Sequence, residues 1–581
     1  MSSIHPPNQW IISRQWDSVF FIGTPLISLA VLLFASNYFS SADIALFVLA
    51  FFAVGHHLPG LMRAYGEREL FLRYKARFIV SPIVITGFVG WSVFSGHLGF
   101  FIFLALWDMW HFFMQHYGFM RIYEVKRHKP SRLTARLDWW ITAVWFTYIV
   151  AASPHYLINF LERCHRYGFG LYAWIDPSYV HVLRSMLFYL AVVLSLLYVV
   201  NLLNEWRRGS PIVLPKIAIS LTTFATVFYA YVVLEDVILG YAITALAHDI
   251  QYFAIVWIYN HGVLKRGSNS GRSFFHFLFR DGRLRIVFFY VFLILAYGGI
   301  EAVARSTQNY FVYDLVKVLI ATSAFLHYYY DGFIWKVRKK SIRQNLVDDE
   351  MGDVDVDDSA NRRTANWLAQ IRSCRSGFAY LFETGKQVVY FGVPIVFLAW
   401  TDTTYSLSDI EAKEYLTRLT PNVAKSHDDL GVAYSRKGLF DKGIASHQKA
   451  IAADSSFAQA YTHMGIAHSL KGNRQKAVEL HLKAIKIDPE IAQAHFNLGV
   501  DYLHMRRIDQ AAKSFRRAIQ IDPEYGRAYS ALAQIDRMRG DETGARNKIQ
   551  RAQQLLATNQ RQQKSLSAMP WATGTPLQDA K

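Results

Sequence analysis

Cysteine is nearly absent: the chain has 581 residues and two cysteines, Cys164 and Cys374. With no CxxC pair, a disulfide-stapled fold and a cysteine-held metal site are excluded, so any metal must be held by histidine, carboxylate or tyrosine. Charge is scarce as well. Asp, Glu, Lys and Arg make up 18% of the residues, against about 25% in soluble globular chains. No glycine-rich phosphate loop of the Rossmann, flavin or P-loop kind occurs, so electrons for any redox step would come from a separate donor protein. The N-terminal "MSSIHPPNQWIISRQWDS" lacks a basic n-region, and no A-x-A-like cleavage site follows the first apolar segment. That segment is expected to be a retained helix, not a cleaved signal.

What the chain has instead is apolar length: 52% of its residues are hydrophobic and 15% aromatic. A membrane helix needs about 20 mostly apolar residues. Candidate spans fall near 18–39, 43–62, 78–96, 97–120, 138–160, 179–203, 211–234, 235–262, 284–304 and 311–335, with one more at 386–402. Lys and Arg collect in every second loop: Arg63 to Arg77, Arg121 to Arg136, Arg207 and Arg208, Lys265 to Arg285, and Lys336 to Arg343. Cytoplasmic loops gather such residues, which also accounts for the formal charge of +18 without nucleic acid as a partner. The N-terminus and the end of the tenth span are therefore expected in the cytoplasm. An eleventh crossing puts everything after about residue 402 on the other side, with Cys164 and Cys374 on opposite faces of the bilayer.

The expected organisation is a membrane domain at 1–345, an acidic polar linker at 346–385, a last span at 386–402, a connector at 403–423, repeats at 424–557 and a disordered tail at 558–581. The linker's "DVDVDD" lacks the glycine and the terminal glutamate of a calcium loop. In the repeats, "LGVAY" at Leu430, "MGIAH" at Met464, "LGVDY" at Leu498 and "LAQID" at Leu532 recur every 34 residues. Small residues hold fixed places: Gly431, Gly465, Gly499 and Ala533, then Ala450, Ala484, Ala518 and Ala552. This region closely resembles the tetratricopeptide repeat (TPR) family. The resemblance implies stacked helix pairs whose concave face binds a protein or peptide. The fold class is thus all-α, a polytopic membrane domain of about 10–11 spans followed by a TPR solenoid. The repeat histidines (His447, His463, His468, His481, His495 and His504) are read as packing residues.

The membrane half carries the chemistry. "WDMWHFFMQHYGFM" holds Asp108, His111 and His116 inside an apolar run, "VGHHLPG" holds His56 and His57, "LAHDIQYFAIVWIYNHG" holds His248 and His261, and "FLHYYYDG" holds His327. All seven lie on even-numbered spans, His248 near the middle of its span and the others toward the inner end. Polar groups at such depth are costly and face the protein interior. Histidines scattered as independent core residues would not share one depth. A metal or heme centre is therefore expected, with a polar network or proton path as the alternative; the inner set is His57, His111, His248 and His327, with His56, His116 and His261 as further ligands. His111 and His116 diverge by about 140° on one helix, and His248 and His261 lie roughly 20 Å apart, so neither pair chelates one ion. Asp108, Asp331 and Asp249 are the carboxylates placed to orient imidazoles or act in the reaction, with Tyr252, Tyr328, Tyr329 and Gln251 nearby.

Imidazole with carboxylate suits iron, zinc, copper or nickel; a buried site beside lipid chains suits oxygen activation, which points to non-heme iron, with heme or another transition metal open. The pattern is weakly similar to histidine-rich membrane non-heme iron oxygenases, namely the desaturase/hydroxylase group and the membrane carotene-cleaving oxygenases. It departs from the first by lacking HxxHH boxes and HxxxH. The expected function is a metal-dependent oxidoreductase acting on an apolar substrate in the lipid bilayer, with a TPR docking module. One alternative is a non-enzymatic assembly factor that recruits partners through its TPRs. Another is a GT-C-type glycosyltransferase, whose acid would have to be Asp43 in the short first outer loop "SNYFSSAD".

Overall fold

The computed structural model describes residues 9–127 (apart from 98), 131–166, 176–265, 310–334 and 408–567, with a few positions at 295–300, 385 and 389. The expected spans at 284–304 and 386–402 and the linker at 346–385, each for the most part, and Cys374 lie outside these residues. Among them all regular structure is helical. The chain forms two compact units, one made mainly of residues 1–405 and one mainly of 406–581.

The first unit is built from α1 (Arg14–Ala35), α2 (Ser41–Gly66), the short α3 (Arg68–Arg73), α4 (Lys75–Ser95), α5 (Phe100–Arg127), α6 (Arg132–Ala152), α7 (Pro154–Arg166), α8 (Pro177–Arg207), α9 (Leu214–Val233), α10 (Val237–Lys265) and α11 (Tyr310–Ile334). Seven of these are long and apolar enough to cross a membrane, or eight with the bent pair α6–α7 taken as one span. α5 is not among them, because Asp108, the histidines and a charged C-terminal end dilute its apolar run. The span expected at 138–160 is broken. Ser153, just before Pro154, is extended (ψ 110°), and the axis turns by 78°. A residue preceding proline is pushed out of the helical region by the ring.

Three apolar clusters organise the unit. Phe78, Ile85 and Val89 of α4 pack with Phe100 and Leu104 of α5 and with Ala321 and Phe325 of α11. Phe21 of α1, Phe119 of α5, Ile219 of α9 and Val256 of α10 form a second. Leu32 of α1, Val48 of α2 and Ile243 of α10 form a third. α10 joins two of the three. At the other extreme α8 has only 11% of its apolar window buried, and apolar surface on that scale fits contact with lipid. A buried ion network ties α5, α6 and α9 together: Arg121 to Asp138 at 2.7 Å, Lys216 to Asp138 at 2.8 Å, and Lys216 to Glu124. Removing one partner of such a network leaves a bare buried charge, at a cost of about 3–5 kcal/mol.

The second unit starts with α12 (Asp409–Leu419), a helix inside the stretch expected as connector. Ser408 and Glu411 close a reciprocal capping box at its start. Four helix pairs follow: α13 (Ala424–Arg436) with α14 (Phe440–Ala453), α15 (Ala458–Leu470) with α16 (Arg474–Ile487), α17 (Ala492–His504) with α18 (Ile508–Ile521), and α19 (Gly526–Met538) with α20 (Glu542–Ser567). α20 runs on to Ser567, past the expected onset of the tail at 558. The small residues are there because a ring faces them. A Cβ on Gly431, Gly465 or Gly499 would lie 2.5–2.6 Å from His447, His481 or Phe515 of the paired helix. His447 and His481 are thus packing residues one period apart, and each is buried beside a carboxylate. His447 Nδ1 lies 2.7 Å from Asp428, and His481 Nε2 lies 3.4 Å from Asp501.

Candidate metal centre

The site lies where α2, α5, α10 and α11 meet. α2 brings two consecutive histidines to one wall, although successive side chains of a regular helix point about 100° apart. The helix is irregular there. A π-helical turn at Leu49–Ala53 is followed by a turn through Val54, Gly55 and His56, and helix resumes at His57. Such π turns widen the helix by one residue and recur at functional sites. His56 and His57 are 2% and 4% exposed, with ring centroids 4.6 Å apart.

His111 of α5 and His327 of α11 come closest. Their Nε2 atoms are 3.2 Å apart, and Asp331 Oδ2 lies 3.8 Å from each. His327 and Asp331, four residues apart, share one helix face. The Tyr252 hydroxyl donates to the other Asp331 oxygen, Oδ1, at 3.3 Å. Metal–nitrogen bonds of about 2.0–2.1 Å set neighbouring ligand atoms roughly 2.9–3.4 Å apart, so 3.2 Å fits two ligands of one ion. His56 lies centrally, its ring 4.6 Å from that of His327 and 5.3 Å from that of His248. His56 Nδ1 is 2.9 Å from Asp249 Oδ1. Two sets of ligand atoms therefore lie within 4.8 Å of one another, His56–His111–His327 and His56–His248–Asp249.

Several buried polar atoms here lack a hydrogen bond among the described residues: both ring nitrogens of His248, His56 Nε2, His327 Nδ1 and Asp249 Oδ2. Each such atom costs about 1–3 kcal/mol, and a closed polar network would have satisfied them. Gly60, one turn beyond His56, keeps the centre open. A Cβ there would stand 2.9 Å from the Tyr252 hydroxyl and 3.2 Å from His327 Nδ1.

The remaining expected residues divide. His57 hydrogen-bonds Ser323 through Nδ1 at 2.9 Å, so His56, and not His57, is the α2 residue common to the two sets. Asp108 shares a face with His111, yet its partners are the hydroxyls of Tyr328 (2.8 Å) and Tyr241 (3.0 Å). It orders the tyrosine wall and is in neither ligand set. His116 stands apart: its ring packs on Phe224 at 5.4 Å and both nitrogens lack partners among the described residues. Gln251 donates to the Phe21 carbonyl at 2.8 Å, and Tyr329 packs in the first apolar cluster. Gln115 holds the backbone carbonyl of His248 at 3.0 Å. The His261 side chain lies outside the described residues. Asp43, the acid a glycosyltransferase would need, pairs with Ser40 at the start of α2.

No curated protein matches the chain. A crystal structure of MamA is 26% identical over 26% of this chain and 89% of its own, with a TM-score of 0.23. The TPR domain of Arabidopsis OM64 is 22% identical over 20% of this chain and 96% of its own, with a TM-score of 0.20. YrrB, titled a TPR protein with an unusual peptide-binding site, is 14% identical over 27% of this chain and 80% of its own, with a TM-score of 0.22. Family models of the tetratricopeptide repeat match residues 458–491 and 492–525. Residues 458–525 are tetratricopeptide repeats in tandem, carried on an all-helical chain.

Proposed function

We propose that the first unit is a membrane metalloprotein that holds non-heme iron through His111, His327 and Asp331. It would act as an oxidoreductase on an apolar substrate, while the TPR unit docks a protein partner. The observation that carries this reading is the pair of Nε2 atoms 3.2 Å apart with one Asp331 oxygen 3.8 Å from each, a few tenths of an ångström beyond ligand spacing, so that Asp331 would draw in to bind. Two histidines and one carboxylate on one face of an ion, with open positions opposite, are the ligand set of oxygen-activating ferrous enzymes. Bound iron would supply oxygen activation, which the side chains alone lack.

The chain's own residues do the rest. Tyr252 fixes Asp331 through Oδ1, leaving Oδ2 toward the imidazoles. Tyr241 and Tyr328 hold Asp108 beside His111 without entering the ligand triangle. Burial excludes bulk water, and aromatic neighbours such as Phe112, 5.7 Å from His248, favour an apolar substrate over a charged one. Electrons would come from a separate donor protein.

A second reading has an observation of its own. His56–Asp249 at 2.9 Å and His111–His327 at 3.2 Å are also hydrogen-bond distances, as in a metal-free polar network serving a non-enzymatic assembly factor. Metal analysis separates the two. Wild type purified without oxygen or chelator should carry stoichiometric iron and no Soret band. His111→Ala and His327→Ala should lose most of it, and Asp331→Asn should bind at least 10-fold more weakly. A folded wild type that takes up no iron, zinc or copper sinks the iron reading and leaves the network.

A further inference from the structure

We infer that the centre holds two metal ions side by side, the second bound by His56, His248 and Asp249. This rests on the metal reading above and goes beyond its single triangle. The ligand atoms of His56, His248 and Asp249 all lie within 4.8 Å of one another, as do those of His56, His111 and His327. The two sets have one member in common. Together with Asp331 they comprise six side chains, whereas one ion with open positions takes about three protein ligands. The surplus groups are the ones left without other partners. Both ring nitrogens of His248 and Asp249 Oδ2 have no hydrogen bond among the described residues, although His248 is 3% and Asp249 1% exposed.

The spacing suits a pair. The His248 ring is 5.1 Å from that of His111 and 5.3 Å from that of His56, so ions held by the two sets would be neighbours. Paired metal sites place their ions about 3.5–4 Å apart. Asp249 Oδ1 at 2.9 Å from His56 Nδ1 matches the separation of adjacent ligand atoms on one ion. The first ion would then have Asp331 beside its imidazoles, and the second has Asp249 within its set. This donor class suits a divalent first-row ion such as iron, manganese or zinc. Because His248 and Asp249 are consecutive on α10, the Gln115 hydrogen bond to the His248 carbonyl fixes the backbone from which both ligands project.

The experiment uses the full chain in detergent, loaded anaerobically with ferrous iron and, in parallel, with manganese(II), then freed of excess ion. Iron is counted per chain by atomic emission, and manganese is read by electron paramagnetic resonance. Two equivalents are expected in wild type, falling to one in His248→Ala and in Asp249→Asn. The manganese spectrum should change from that of a coupled pair in wild type to an isolated six-line pattern in Asp249→Asn. Asp249→Asn keeps the side chain's shape and decides the matter should His248→Ala aggregate. One equivalent in wild type, whichever variant removes it, overturns the second ion and leaves the single centre standing. No metal in folded wild type overturns both.

Discussion

The missing side chain at Gly60 is what leaves room for the His327 imidazole and the Tyr252 hydroxyl. Gly60→Ala would set a methyl group 2.9 Å from that hydroxyl and 3.2 Å from His327 Nδ1. Displacing a group that orients a ligand typically weakens metal binding about 10–100-fold, so iron titration should show that loss while thermal unfolding changes little. In the repeats, Asp428 accepts from His447 at 2.7 Å and from His463 at 2.8 Å. Burial opposes the charge on both partners. The His463 charge and the two imidazole hydrogen bonds nevertheless hold the Asp428 carboxyl below the usual carboxylate range, and Asp428 raises His463 above the ordinary 6.5. Lys425 and Asp429 also face His463, and their effects oppose each other. A raised histidine stabilises the fold fully below 6.5 and loses that contribution as pH rises through its folded value. The melting temperature of residues 408–567 should therefore fall as pH is raised from about 6 to 8. Asp428→Asn should flatten that fall, and an unchanged slope in the variant would refute the pairing. That His56, His111, His248 and His327 gather was legible from their places on four even-numbered spans, whereas His116 stands apart. Which of them face one another was not: the π turn at Leu49–Ala53 shifts the phase of α2, and nothing in the sequence separates His56 from His57.

The repeat helices turn back through a left-handed residue, and three of the four turns use glycine: Gly438, Gly472 and Gly540, with φ of 77°, 92° and 81°. The third turn uses Arg506, at φ 59°. A non-glycine residue there costs about 1–2 kcal/mol, and glycine's extra freedom in the unfolded chain returns about 0.5–1 kcal/mol of that. Arg506→Gly should thus stabilise the TPR unit by about 0.5–1 kcal/mol, a rise of about 2 °C in Tm. No rise would mean that Arg506 makes compensating contacts. The 34-residue period made these pairs legible, since small residues mark where a ring approaches. α12 was missed within the expected connector, although Ser408 and Glu411 at capping-box spacing precede Ala412, Tyr415, Leu416 and Leu419, the residues it buries. The break at Ser153–Pro154 was signalled by proline, but the continuous apolar run of 138–160 obscured it.

For the whole chain, the Lys/Arg asymmetry of alternate loops predicts a cytoplasmic N-terminus and TPR repeats on the opposite side. Reporter fusions after residue 403 test this. A cytoplasmic signal would mean that an even number of spans precedes the repeats. The two units met in sequence as a change of hydrophobic pattern, from long apolar runs to a short repeat, and that change is legible because water and lipid demand different exteriors. The contrast between α8 and α10 follows from the same demand. One has 11% of its apolar window buried and the other 67%. Lipid asks only that a side chain be apolar, whereas a packed neighbour asks for one shape. Over generations α8 is therefore free to exchange leucine, valine, isoleucine and phenylalanine almost at random. α10 is the more constrained, so two descendants of this chain should diverge faster along α8 than along the helix that carries His248 and Asp249.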